Sequence, residues 1–134
     1  MKFKSLMHVS FFTDQMDVMR DFYENKLGLK VKIVTRAGLY KGLNRGKYSE
    51  VAEVDPNRII EIAPGQFIEL FPKDEGQAPH DEWNQRLGYS HFALLVEDIE
   101  KTYRELVECG VAIDTPISKG PSHTYQMWVH DPDG

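Results

Sequence analysis

The chain has 134 residues, of which 41% are hydrophobic and 28% charged, and its formal net charge is −5. A chain of this length fits one globular domain with its own apolar core. Because 16 lysines and arginines stand against 21 aspartates and glutamates, no basic surface attracts a polyanion, and a nucleic-acid partner is not expected. No apolar run approaches the roughly 18 residues of a membrane helix, so no membrane contact is expected. The single cysteine, Cys109, cannot form an intrachain disulfide, and we expect a cytoplasmic protein.

The first elements in chain order are a strand, a helix and a second strand. Residues 5–12 are rich in β-formers, and Thr13 or Asp14 can cap the helix that the following apolar pattern predicts. Gly28 stands where a left-handed residue would end that helix. Residues 29–35 alternate lysine with valine and isoleucine, which is typical of a strand with one solvated face.

A hairpin follows after an interruption. Residues 57–72 contain two β-rich runs separated by Pro64 and Gly65, whose chemistry favours a turn. Residues 37–56 have weak periodicity, three glycines and one proline, and they predict an inserted loop with a short helix. The first 72 residues therefore predict a β-α-β-β-β module.

The same order of elements begins again after the polar linker 73–87. Residues 89–97 predict a strand, and Asp98 can cap a helix that ends at Gly110. Turn chemistry at residues 119–121 separates two further predicted strands, 111–118 and 123–130.

The two halves form an internal repeat. The segments from His8 to Gly28 and from His91 to Gly110 both contain a histidine-bearing strand, an acidic cap, an aromatic-bearing helix and a glycine. The second copy has no counterpart of the last strand, so we expect that strand beyond the given sequence or from another molecule. The predicted organisation is one domain, 1–134, with module one at 1–72, a linker at 73–87 and an incomplete module two at 88–134.

Three polar side chains lie in otherwise apolar strand segments and are candidate metal ligands. Glu69 stands within the run FIELF, where burial of an unpaired carboxylate is costly unless the group is protonated or meets a cation. His8 and His91 occupy equivalent positions of the repeat. Two imidazoles and a carboxylate suit nickel, zinc, manganese or iron, with positions left for water or substrate oxygens. We therefore predict a divalent metal ion bound by His8, Glu69 and His91.

Each candidate also has an ordinary structural interpretation. A single histidine on a strand is more often a core or surface residue than a ligand, and Glu69 could face solvent at a sheet edge. His123 and His130 have opposite strand parity, and we expect them to be exposed strand residues. Cys109, beside Gly110 at a helix end, is expected to be a small apolar filler.

Together these segments resemble the vicinal oxygen chelate superfamily, which includes glyoxalase I, fosfomycin-resistance proteins, extradiol dioxygenases and bleomycin-binding proteins. The resemblance covers nearly the whole chain. Within the superfamily, the chain resembles a glyoxalase I-like member. It implies an α+β fold in which two tandem βαβββ modules form a curved mixed sheet around a metal and substrate cavity. The resemblance rests on His8, FYENKLGLK (22–30), FIELF (67–71), GYSHFALLV (88–96) and HDPDG (130–134).

The resemblance implies a metal-dependent lyase or isomerase that acts on a small molecule chelating the metal through adjacent oxygens. It assigns His8, Glu69 and His91 as ligands, leaves Glu69 as a possible catalytic group, and places a fourth ligand, usually a glutamate, a few residues beyond Gly134. Two alternatives stay open: a non-catalytic drug- or metabolite-binding protein of the bleomycin-resistance type, and an extradiol-type dioxygenase. Many members pair modules across subunits, so a homodimer is expected.

The resemblance also bears on the substrate pocket. Glutathione-dependent members carry an arginine at the position of Phe12, so glutathione recognition is not implied here. An aromatic residue there indicates a more apolar small-molecule pocket. The candidate pocket residues are Phe12, Phe71, Tyr125 and Trp128.

Overall fold

The computed structural model describes residues 1–2, 4–35, 57–73, 78 and 89–134. The chain divides into two compact units, Met1–Ala78 and Pro79–Gly134, which we call unit one and unit two. The predicted inserted loop 37–56 lies outside the described residues, as does most of the predicted linker. No helix in the described ranges has both the length and the apolar character needed to cross a membrane.

Unit one contains a four-stranded mixed sheet. The strand order is β1-β4-β3-β2, in which β1 and β4 are parallel and the other neighbours are antiparallel. The hairpin between β3 and β4 turns at Pro64 and Gly65, as predicted, and Gly65 has a φ of +75°. The strands are β1 (His8–Thr13), β2 (Lys30–Thr35), β3 (Asn57–Ala63) and β4 (Gln66–Pro72).

The predicted first helix forms, but its second half is wound more widely than an α-helix. Helix α1 spans Met16–Arg20 and continues as a π-helical segment over Asp21–Lys26. The wider winding is visible in the hydrogen bond from the Leu27 amide to the Phe22 carbonyl, at 2.9 Å. Gly28 then ends the helix with a φ of +66°, a conformation that favours glycine.

The two faces of the unit-one sheet have different roles. One face is apolar and buried: Ile60, Ile68 and Leu70 are fully inaccessible to solvent, and the helix buries four large side chains as well. Side chains alternate between faces along a strand, so the opposite face of β1 and β4 carries the other set of residues. That set contains His8, Ser10, Phe12, Phe67, Glu69 and Phe71, which form three neighbouring pairs in the parallel register.

Unit two contains helix α2 (Ile99–Glu108) and an antiparallel pair of strands, β5 (Thr115–Lys119) and β6 (Tyr125–Trp128). The predicted cap is confirmed, because the Asp98 side chain accepts a hydrogen bond from the Lys101 amide at 2.9 Å. Gly110 follows the helix with a φ of +74°, matching Gly28 in unit one. The α+β fold class predicted from the sequence is therefore confirmed.

The predicted strand over residues 89–97 is wrong, because these residues form no strand in the structure. A strand requires a hydrogen-bonded neighbour. In unit one the equivalent strand, β1, pairs with β4, whereas the described residues of unit two include no counterpart of β4. Beta propensity and apolar pattern alone do not supply that partner.

Two smaller expectations are also corrected. The predicted strand 123–130 is shorter, because His123 lies in a turn with a φ of +63° and its amide donates to the Gly120 carbonyl at 3.0 Å. Cys109 is exposed, so it is not an apolar filler.

Candidate functional site

The parallel pairing of β1 with β4 brings His8 and Glu69 together. The register places Ser10 opposite Glu69 and His8 opposite Phe67, so His8 and Glu69 are diagonal neighbours on one face. Nε2 of His8 lies 4.0 Å from Oε2 of Glu69. The glutamate side chain is 12% exposed and the histidine side chain 49%. We call His8 and Glu69 the first half-site.

The first half-site has the donor chemistry of a divalent metal site. An imidazole nitrogen and a carboxylate oxygen are donors that divalent ions such as zinc bind in proteins. A mostly buried carboxylate also gains from a nearby cation, which offsets its desolvation. The pair lies on the face of the sheet opposite the one that carries the buried residues Ile68 and Leu70.

An aromatic pair lies next to this half-site. Phe12 and Phe71 are neighbours in the β1–β4 register, and their ring centroids are 5.4 Å apart with a tilt of 32°. Phe71 is buried, whereas Phe12 is partly exposed. The pair follows Ser10 and Glu69 along the same face, so it forms an apolar boundary at one end of the half-site.

In unit two, the candidate ligand His91 is held by two neighbours. Its ring meets the Trp128 ring edge to face, with centroids 4.5 Å apart and an interplanar angle of 68°. Its Nδ1 lies 3.1 Å from Oγ of Ser90. We call His91 with these two neighbours the second half-site.

The two remaining aromatic pocket candidates, both in unit two, lie on different faces of β6. Tyr125 and Trp128 lie three positions apart on a regular strand, so alternation places them on opposite faces of β6. The Tyr125 ring instead has Nζ of Lys119 at 6.0 Å from its centroid. Trp128 is therefore the pocket candidate that lies beside His91.

The other histidines are engaged elsewhere or exposed. Nδ1 of His130 contacts a carboxylate oxygen of Asp114, and the His130 side chain is half exposed. Over the ranges that the structure describes, no three His, Cys, Asp or Glu side chains form a single group able to hold a metal ion. The candidate ligands are thus distributed as a pair in unit one and one histidine in unit two.

Two serines of the half-sites were missed by the sequence analysis. Ser10 donates a hydrogen bond from Oγ to Oε2 of Glu69 at 3.3 Å. Strand alternation places Ser10 on the same face as His8, so the sequence contained the information needed to identify Ser10 as a residue of this site. No comparable signal existed for Ser90, because adjacent residues of a regular strand point to opposite faces.

One tyrosine near the second half-site has a perturbed acidity. Partial burial and, to a smaller extent, the negative charge of Asp131 raise the pKa of Tyr89 above its usual value of about 10. Tyr89 therefore stays a neutral hydrogen-bonding phenol throughout the physiological range.

Known structures share this fold. A glyoxalase family protein from Enterococcus faecalis is 25% identical, and the match covers 98% of this chain and 93% of that one with a TM-score of 0.74. A superfamily member from Sphaerobacter thermophilus is 19% identical over 98% of this chain and 92% of that one, with a TM-score of 0.67. The lactoylglutathione lyase from Agrobacterium tumefaciens is 16% identical over 97% and 87%, with a TM-score of 0.61.

The sequence itself matches a family model over nearly its entire length. A search of curated proteins found no significant match. The model for the Glyoxalase/Bleomycin resistance protein/Dioxygenase superfamily matches residues 5–134, which include both half-sites. The chain belongs to the Glyoxalase/Bleomycin resistance protein/Dioxygenase superfamily.

Proposed function

We propose that this chain is a metal-dependent lyase or isomerase of the glyoxalase type, acting on a small molecule that chelates the metal through adjacent oxygens. The observation that carries the proposal is the first half-site. His8 and Glu69 come from different strands, their polar atoms lie 4.0 Å apart, and the carboxylate is mostly buried. An imidazole beside a carboxylate is a common pair of ligands for catalytic divalent metals.

In this proposal His8 and Glu69 hold a nickel, zinc, manganese or iron ion from unit one, and His91 is the ligand supplied by unit two. When bound, such an ion supplies Lewis-acid stabilisation of negative charge on a substrate oxygen. In this proposal the Glu69 carboxylate is also the group that accepts a proton from the substrate. Phe12 and Phe71 then contact an apolar part of the substrate.

We further propose a homodimer, in which the second half-site of one protomer can complete the first half-site of the other. In such a dimer, His91 of either protomer would serve as a metal ligand. Light scattering coupled to gel filtration measures the mass directly. A monomer that binds metal stoichiometrically contradicts the dimer while leaving the ligand assignment intact.

Metal analysis of the purified protein tests the ligand assignment. We expect stoichiometric divalent metal by mass spectrometry of the acid-digested protein, and its loss in His8→Ala, Glu69→Ala and His91→Ala. The matched control is His123→Asn, because asparagine tolerates the positive φ of that turn and His123 belongs to neither half-site. A protein without divalent metal, or metal retained in both His8→Ala and Glu69→Ala, contradicts the proposal.

The reaction class is tested with metal-loaded protein and a panel of small hemithioacetals and α-hydroxycarbonyl compounds. Proton NMR in deuterated water detects exchange at the carbon beside the carbonyl, which is the expected result for a glyoxalase-type enzyme. A compound that binds without exchange or conversion supports instead the drug- or metabolite-binding alternative. A reaction that consumes dioxygen supports the extradiol-type alternative.

A further inference from the structure

We propose that two serine hydroxyls, those of Ser10 and Ser90, are positioning groups that fix the orientation of the metal ligands Glu69 and His91. The inference rests on the proposed function and assigns one positioning residue to each half-site. Neither serine needs to contact the metal or the substrate for this role.

Ser10 controls the carboxylate of the first half-site. It lies directly opposite Glu69 in the β1–β4 register, and its hydroxyl donates to Oε2 at 3.3 Å. The same oxygen faces Nε2 of His8 at 4.0 Å. A carboxylate oxygen can accept more than one interaction, so the serine bond is compatible with ligation. The bond therefore holds the carboxylate turned toward the strand that carries His8.

Ser90 acts on the imidazole of the second half-site. Its hydroxyl lies 3.1 Å from Nδ1 of His91, and a bond in which Nδ1 donates leaves the lone pair on Nε2. The edge-to-face contact with Trp128, at 4.5 Å between centroids, restrains the plane of the same ring. In the proposed arrangement Nδ1 donates to Ser90, and this bond together with the Trp128 contact holds the ring in an orientation that leaves Nε2 available as a ligand.

Hydrogen-bonded partners of metal ligands change affinity even when they do not touch the metal. Loss of such a partner typically weakens metal binding by about 10–100-fold, because the ligand must be oriented when the metal binds. We therefore expect that Ser10→Ala and Ser90→Ala each raise the dissociation constant for zinc or nickel by about 10–100-fold. Ser10→Thr and Ser90→Thr keep the hydroxyl and should bind metal with nearly wild-type affinity.

The affinity is measured by competition with a chromophoric chelator, using the full-length protein. Ser122→Ala is the matched control, because its hydroxyl also makes a side-chain hydrogen bond, to Oγ1 of Thr124 at 2.7 Å, but contacts no proposed ligand. Thermal unfolding by circular dichroism confirms that each variant is folded. Wild-type affinity in both alanine variants overturns the inference.

Two spectroscopic measurements separate orientation from general structural damage. The visible spectrum of the cobalt-substituted protein should change in Ser10→Ala and be restored in Ser10→Thr. In the metal-free protein, long-range nitrogen NMR should show a smaller fraction of the Nδ1–H tautomer of His91 in Ser90→Ala than in the wild type. An unchanged tautomer there overturns the role of Ser90.

The failure of this inference is distinguishable from the failure of the proposed function. If His8→Ala and Glu69→Ala abolish metal binding while both serine variants bind normally, the ligand assignment stands and the positioning roles are wrong. If the wild-type protein binds no divalent metal, the proposed function and this inference are both overturned.

Discussion

Both units contain a histidine-bearing segment followed by a helix and a glycine. They differ in whether a strand is hydrogen-bonded to that segment. In unit one, the strand with His8 is hydrogen-bonded along its length to β4, which carries Glu69. In unit two, the segment with His91 is also followed by a helix and a glycine with positive φ, yet no strand of the described chain pairs with it. A parallel neighbour thus gives one histidine a carboxylate partner, whereas the other has an aromatic ring and a hydroxyl.

The same difference extends to the apolar cores. Among the described residues, Val111 is the buried apolar side chain of unit two, whereas eight such side chains are buried in unit one. Unit one therefore has a packed core of its own, which supports the sheet face that holds the first half-site. The buried apolar residues of unit one are Met16, Met19, Phe22, Tyr23, Ile60, Ile68, Leu70 and Phe71.

The largest expected effect comes from the core of unit one. Ile68→Ala removes a side chain that is 0% exposed and should lower the free energy of unfolding by about 2–5 kcal/mol. The matched change in unit two, Val107→Ala, affects a residue that is 50% exposed and should stay within about 0.5 kcal/mol of wild type. Urea unfolding curves measure both. Equal losses would show that the two units do not differ in packing as described.

The helix-ending glycines should be equally important in both units. Gly28→Ala and Gly110→Ala each impose a positive φ on alanine, which costs about 1–2 kcal/mol. Among the described residues, a Cβ at either position meets no atom within 4 Å, so the expected loss comes from backbone strain. Asparagine tolerates this conformation, and the asparagine variants should be more stable than the alanine ones by thermal denaturation. A large difference between the two positions would contradict the equivalence of the units.

The helix N-termini should respond differently. Asp98→Ala removes the bond from the Lys101 amide and should cost about 1 kcal/mol. The equivalent residue of α1, Gln15, makes no side-chain capping bond, so Gln15→Ala removes no cap and should cost less than Asp98→Ala. Chemical denaturation compares the two variants. A larger loss of unfolding free energy in Gln15→Ala than in Asp98→Ala would contradict the assignment of Asp98 as the side chain that caps its helix.

The smallest effect concerns Tyr89. Because its folded-state pKa is raised by partial burial and by Asp131, its stability contribution is present below about pH 10 and is lost as pH rises through the higher folded value. The side chain is largely exposed, so the slope should be small. In Tyr89→Phe, the free energy of unfolding should decrease less steeply at alkaline pH. The ultraviolet titration of tyrosine absorbance should also lose one group that titrates at high pH. Titration of Tyr89 below about pH 10 would contradict the assigned environment.

Local chemistry made much of unit one predictable. The turn at Pro64 and Gly65, the helix end at Gly28 and the placement of Glu69 on a sheet strand all follow from turn propensity and alternation. The π-helical winding after Arg20 does not follow from them. Sequence periodicity does not separate a π-helical segment from an α-helical one.

The sequence was less informative where pairing decides the structure. Residues 89–97 have the pattern of a strand, yet strand formation depends on a neighbour that no local pattern specifies. Strand parity also did not decide whether Tyr125 or Trp128 lies near His91, because it gives relative faces only. The serine contacts depend on side-chain distances, which a one-dimensional pattern does not contain.

The parallel pairing of β1 with β4 determines when, during folding, His8 and Glu69 come together. Ser10 and Glu69 are 59 positions apart in the chain, so the first half-site is a long-range contact. Such contacts form late and raise the entropic cost of folding. During synthesis, His8 leaves the ribosome long before its carboxylate partner exists. If the proposed function holds, metal capture by this half-site would report completed sheet assembly, and a bound metal would stabilise the assembled sheet by mass action.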